Sequence, residues 1–132
     1  MTYLLDTSAW LAHYTGEAGG TQVQKLIDSE GARLLVASVS VTEFTRRLKT
    51  LGPGVDAETV RDDYLSVFDE VVPINLDTAC LAADLSAAAS TRLPLVGSLI
   101  AAAACLSGAT LVHRDAHFAA IPAKRLRQLA VT

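Results

Sequence analysis

Asp6, Glu43 and Asp115 are the residues of this 132-residue chain whose types and placement suit chemistry. Each carboxylate comes shortly after an apolar run: Tyr3-Leu4-Leu5 before Asp6, Leu34-Leu35-Val36-Ala37 before Glu43, and Leu111-Val112 before Asp115. Clustered carboxylates repel one another, which raises their proton affinity unless a cation neutralises them. Mg²⁺ and Mn²⁺ prefer such oxygen ligands, and Mg²⁺ keeps several waters while engaging phosphate oxygens. The chemistry implied is metal-assisted phosphodiester hydrolysis, in which the ion activates water and stabilises charge building on the phosphate. Each acid also has a plainer reading: Asp6 as a cap for the helix that follows, Glu43 as the capping-box partner of Ser40, and Asp115 as a solvated turn residue.

For the three to meet, the chain must bring the ends of separate strands to one edge. Thr7-Ser8 predicts the cap of a helix through Tyr14, and Gly16 and Gly19-Gly20 break it. Val23, Leu26 and Ile27 mark a second helix ending near Gly31. Ser40 with Glu43 matches a capping box that opens a helix through Leu48 and Leu51, before the break at Gly52-Pro53-Gly54. A further helix is expected over Ala57 to Phe68 and a strand over Val71 to Ile74, where Pro73 suggests a sheet edge. Asp77-Thr78 opens an Ala-rich helix to about Ser90, Pro94 opens another over Leu95 to Leu106, and Leu129-Ala130-Val131 is a last strand. No linker or repeat interrupts residues 1–132, so one domain is expected. Short apolar strands alternating with helices predict an α/β fold with a mostly parallel sheet and helices on both faces. Such folds keep their sites at the carboxyl ends of the strands.

Leu93 to Val112 contains no charge and meets the bare length rule for a membrane span. Pro94, Ser107-Gly108 and the strand-like Thr110-Leu111-Val112 argue instead for a buried helix followed by a buried strand. Met-Thr-Tyr-Leu-Leu-Asp has no basic region or long apolar core, so no signal peptide is expected. Cys80 and Cys105 form no C-x-x-C pair and read as buried free thiols. A cytoplasmic protein that does not enter the membrane is the resulting expectation. The formal charge of −3 does not exclude a nucleic-acid substrate, because only the local field around a groove matters.

Taken in order, Leu4-Leu5-Asp6-Thr7-Ser8-Ala9, Val41-Thr42-Glu43-Phe44, Leu93-Pro94-Leu95, Leu99-Ile100-Ala101-Ala102 and Ala109-Thr110-Leu111-Val112-His113-Arg114-Asp115 with Phe118 resemble the PIN-domain family. The likeness is closest to the VapC-type toxins of bacterial type II toxin–antitoxin pairs, and it spans essentially the whole chain. It implies a PIN-like three-layer α/β/α sandwich and a Mg²⁺- or Mn²⁺-dependent endoribonuclease acting on structured RNA such as tRNA or rRNA. It further implies inhibition by a cognate VapB-type antitoxin, and homodimerisation. By position it makes Asp6, Glu43 and Asp115 the catalytic, metal-binding acids.

One position departs from that pattern. Where the family carries an aspartate after Leu-Pro, this chain has Gly97, and Ser98 beside it is a neutral hydroxyl. Reduced or abolished activity is expected, and the alternative is a PIN scaffold that binds an antitoxin or RNA without cleaving. The plainer reading of Gly97 is close helix packing, although glycine within a helix costs roughly 1 kcal/mol relative to alanine.

Arg46, Arg47 and Arg114 are candidate contacts to RNA phosphates, with a solvated face as the rival reading. Lys124, Arg125 and Arg127 crowd the far end of the chain. His113 and His117 have the spacing of helical zinc ligands, but no Cys or His cluster accompanies them, so they are assigned no metal, and His13 receives no role. Trp10, Leu11, Phe44, Leu48, Tyr64 and Phe68 are either core or an antitoxin groove. A phospho-acceptor receiver domain would need a lysine at the end of a late strand, where this chain has His113-Arg114-Asp115 and no suitable lysine.

Overall fold

Leu4, Leu35 and Leu111 lie side by side in neighbouring strands and are wholly buried. Strands covered on both faces read as continuous apolar runs, which is how these segments appear in the sequence. The computed structural model describes every residue from Met1 to Thr132. Its strands are β1 (Thr2–Leu5), β2 (Arg33–Ala37), β3 (Glu70–Val72), β4 (Thr110–His113) and β5 (Gln128–Ala130). They form one parallel sheet in the order β3-β2-β1-β4-β5.

Helices α1 (Thr7–Thr15), α2 (Gly20–Asp28), α3 (Ser38–Lys49), α4 (Ala57–Leu65), α5 (Leu76–Ala88) and α6 (Leu95–Leu106) cover the sheet. Leu5, Leu34, Val36 and Val112 point to one face, where Trp10, Val23, Phe44, Leu48 and Phe68 meet them from α1, α2, α3 and the approach to β3. Leu4, Leu35, Ala37 and Leu111 point to the other, against Leu85 of α5 and Ile100 to Ala104 of α6. This is the three-layer α/β/α sandwich expected from the sequence. Trp10, Phe44 and Leu48 are therefore core rather than groove. No helix is long and apolar enough to cross a membrane; the uncharged run divides into α6 and β4.

Several local expectations need correction. The cap of α1 is Asp6 itself, whose side chain accepts from the Ser8 N–H, rather than Thr7 or Ser8. Helix α4 ends at Leu65, so Phe68 packs from the link to β3. Asn75 rather than Asp77 caps α5, accepting from the Thr78 N–H at 3.1 Å. The cysteines are free but not buried: Cys80 is exposed, and Cys105 is half-buried with its thiol directed at the Arg125 carbonyl. Helix α5 buries Thr78, Ala82 and Leu85, and Cys80 falls on the opposite side. An alanine-rich helix has too small a polarity difference between its faces to show this in advance.

Ser40 is not a cap. Helix α3 opens two residues earlier, at Ser38, which places Ser40 in its first turn with a buried Oγ that has no partner. A buried polar group without a hydrogen bond costs roughly 1–3 kcal/mol. Ser40→Ala is accordingly expected to stabilise the protein by about 1 kcal/mol in urea unfolding. A loss of stability would show that Ser40 has a partner in solution.

Candidate active site

Strand β1 lies where the strand order reverses, with β2 on one side and β4 on the other, and crevices form beyond the carboxyl ends of strands at such a point. Asp6 is the next residue after β1. Its N–H donates to the Val112 carbonyl of β4 at 2.8 Å, and it is only 5% exposed. Oδ2 accepts from both the N–H and the hydroxyl of Ser8. The same hydroxyl accepts the Arg114 N–H at 2.9 Å, so Ser8 joins the ends of β1 and β4. Burial pushes the Asp6 carboxyl above the ordinary aspartate value; the Ser8 bonds oppose that shift, and the charges of Glu43 and Asp115 reinforce it. Asp6 thus both caps α1 and holds a buried charge near two other acids.

Glu43 arrives from α3 and is tied to α1: the Thr7 hydroxyl donates to its Oε1 at 2.6 Å. Asp115 follows β4 and caps the 3-10 helix Ala116–Ala120. Its Oδ1 accepts the His117 N–H at 2.9 Å and lies 2.7 Å from His117 Nδ1. The Asp115 N–H donates to Nδ1 of buried His113, so that nitrogen is unprotonated and Nε2–H donates to Gln128 Oε1 at 2.9 Å. The Gln128 amide in turn donates to the Phe118 carbonyl at 3.0 Å. Both His113 nitrogens are thereby used in holding the turn after β4 against β5. Gln128 gave no signal in the sequence, because its partners are brought to it only by the sheet.

Gly97 is the third residue of α6, and its neighbour in space is Phe118, just beyond Asp115. A Cβ built there would meet the Phe118 ring at 3.6 Å and Pro94 at 4.0 Å, both ordinary contacts. Neither a left-handed backbone nor a close approach requires glycine here, so the close-packing reading fails.

The three acids share one edge, where Glu43 and Asp115 influence Asp6 electrostatically, yet no three His, Cys, Asp or Glu side chains stand close enough to hold one ion together. Asp6 Oδ1, Glu43 Oε2 and Asp115 Oδ2 have no protein partners. These are hard oxygen donors, and Mg²⁺ is commonly held by one or two carboxylates with water completing its shell. That coordination suits the donors present and needs no closed cage.

Arg114 is not free: its Nη1 donates to Glu17 at 2.8 Å. Arg46 and Arg47 extend from α3 beside Glu43 and line a shallow hollow with Thr50. Arg47, Arg114, Glu17 and Ser8 also line a cavity of about 210 Å³ between α1 and α3. A larger hollow, about 630 Å³, lies at the opposite ends of β4 and β5, near Thr110 and Gln128, away from the acids.

The PIN domain family model matches residues 3–124, which include all three acids and Gly97. The chain belongs to the PIN-domain family. Ribonuclease VapC11 of Mycobacterium tuberculosis is 32% identical over 124 residues, covering 87% of each chain, which places this PIN domain among the VapC proteins. In three dimensions it is similar to VapBC2 from Rickettsia felis, solved bound to a DNA fragment from their promoter, with a TM-score of 0.79, 18% identity and 98% of each chain covered. It is also similar to Mycobacterium tuberculosis VapC20, described as a sarcin–ricin loop cleaving toxin. That TM-score is 0.70 at 17% identity, over 91% of this chain and 94% of the other. These likenesses agree with the PIN fold of a central parallel sheet between helices.

Proposed function

We propose that this chain is the ribonuclease toxin of a type II toxin–antitoxin pair, a single PIN unit whose acid site takes Mg²⁺ or Mn²⁺, and that Gly97 reduces or abolishes its cleavage. The observation that carries this reading is Asp6: a buried carboxylate at the strand-order reversal, beside two further acids and with no Lys or Arg against it. Asp6 and Asp115 would hold the ion, with Glu43 ligating directly or through water. When bound, it supplies an activated water and neutralises charge building on the phosphate. The chain's own residues do the positioning. Ser8 fixes the rotamer of Asp6, Thr7 directs Glu43, and His113 with Gln128 fixes the backbone from which Asp115 projects. Arg46, Arg47 and Arg114 would contact phosphates of the strand. The VapC20 description makes ribosomal RNA a first substrate to test, with tRNA the second. The VapBC neighbours support a VapB-type antitoxin as partner, and a homodimer is part of the same proposal.

The absence of a three-acid cluster favours a second reading, in which the scaffold binds antitoxin or RNA without cleaving. Gly97→Asp separates the two. The position accepts a side chain, and the favourable placement of an acid in the first turn of a helix offsets its repulsion from the acids nearby, so the variant should fold. Cleavage of a tRNA and rRNA panel in Mg²⁺ or Mn²⁺ should rise by roughly 10–100-fold or more over the parent chain and vanish in EDTA. A folded Gly97→Asp protein that cuts nothing on the panel supports the binding scaffold.

A further inference from the structure

Glu17 lies in the short link Gly16–Gly19 between α1 and α2, and its carboxylate sits among groups suited to a phosphate. One oxygen accepts from Arg114 Nη1 at 2.8 Å and the other from the Thr15 hydroxyl at 2.9 Å. These bonds and the positive charge of Arg47 hold its carboxyl below the ordinary range. Guanidinium groups with a hydroxyl also form a typical donor set for a phosphodiester. The cavity that these residues line measures about 210 Å³ and includes Ser8, whose hydroxyl bonds Asp6. At ~30 Å³ per water, this is room for a phosphate with part of its hydration. The subsite therefore adjoins the acid edge without including an acid of the proposed metal site.

We propose that the cavity between α1 and α3 is a phosphate subsite for the RNA strand, and that Glu17, on its wall, holds the Arg114 guanidinium in the free protein as an internal competitor which the strand displaces. This rests on the ribonuclease reading for its ligand, and it adds a group that restrains binding. Two features permit the displacement. Glu17 and Arg114 form an exposed pair, with side chains 57% and 40% accessible, and such pairs are weak. The Glu17 backbone is held by the Ala12 carbonyl and the Gly20 N–H, so the displacement needs only a rotation of its exposed side chain toward solvent.

The test measures binding without cleavage. A fluorescent 2′-O-methyl oligoribonucleotide is titrated in EDTA against four proteins: parent, Glu17→Gln, Arg114→Gln and the double variant. Glu17→Gln should bind about twofold to fivefold tighter, the range set by losing an exposed ion pair. Arg114→Gln should bind more weakly, and in its background Glu17→Gln should gain less, because only the charge of Arg47 is left for Glu17 to offset. An unchanged affinity for Glu17→Gln, no binding by either protein, or the same gain without Arg114 would each overturn the proposal; the last would reduce Glu17 to general charge repulsion. Because no bond is broken in the assay, a failure of Gly97→Asp to cleave leaves this result standing. Conversely, cleavage by Gly97→Asp with no effect of Glu17 on binding rejects only the competitor.

Discussion

Asp6→Asn is expected to stabilise the metal-free protein and to abolish its response to Mg²⁺. Asn can accept both Ser8 bonds in place of Oδ2 while removing a charge that burial disfavours. The direction with pH follows from linkage. Because the folded carboxyl binds its proton more tightly than the unfolded one, its stabilising contribution is complete below the ordinary aspartate value. It is lost as pH rises through the raised folded value. The difference in melting temperature between Asp6→Asn and the parent should therefore be small at acid pH, grow as pH rises, and level off above the folded value. Divalent metal should reverse the ranking at neutral pH. A ligand at a hundred times its Kd contributes about 2.7 kcal/mol, a shift of several degrees for a domain of this size. The parent should show that shift and Asp6→Asn should not. In a Gly97→Asp background, Asp6→Asn should also cut cleavage by roughly 100-fold or more. Equal metal-induced shifts in the two proteins would remove Asp6 from the proposed site.

The second large effect is on folding. Trp10 is 0% exposed, and its ring stacks on Phe44 with centroids 3.8 Å apart and planes 7° from parallel. The edges of Tyr64 and Phe68 close around it at 5.7 and 5.1 Å. Its Nε1–H is buried without a partner. Trp10→Ala leaves a cavity between α1, α3 and α4 and should cost about 3–5 kcal/mol in urea unfolding, a large part of a typical domain's stability. Trp10→Phe keeps an aromatic ring against Phe44 and removes the orphaned donor, so it should recover most of that loss. A Trp10→Ala protein less than about 1 kcal/mol below the parent would show that the cluster is not a principal part of the core.

The strands and α6 were legible in the sequence because local rules agree with the tertiary fold there. Leu4-Leu5 and Leu34 to Ala37 are apolar throughout because both faces of the sheet are covered, and Pro94 begins α6 where its missing N–H is harmless. The site was legible only as far as position. That Asp6, Glu43 and Asp115 would reach one edge follows from parallel strands. How each is held does not, because Thr7 meets Glu43 across 36 positions, His113 meets Gln128 across 15, and Arg114 meets Glu17 across 97. Ser40 and Glu43 show the opposite error. Their spacing fits a local capping box, but α3 begins two residues earlier, and a tertiary partner takes the glutamate. Gly97 was visible as a departure in the sequence, and the structure adds that the backbone there does not require it.

The placement of β1 bears on when the acid edge can be completed. It is the first strand made, yet it lies at the centre of the sheet, and the bridge from Ser8 to Arg114 spans 106 positions. The support for Asp115 comes later still, when Gln128 reaches His113. A growing chain on the ribosome can pair β1 with β2 and bring Asp6 to Glu43, long before Asp115 and its supports are made. Prematurely terminated products retain two acids and no site. Synthesis itself therefore delays completion of the acid edge until nearly the whole chain has emerged.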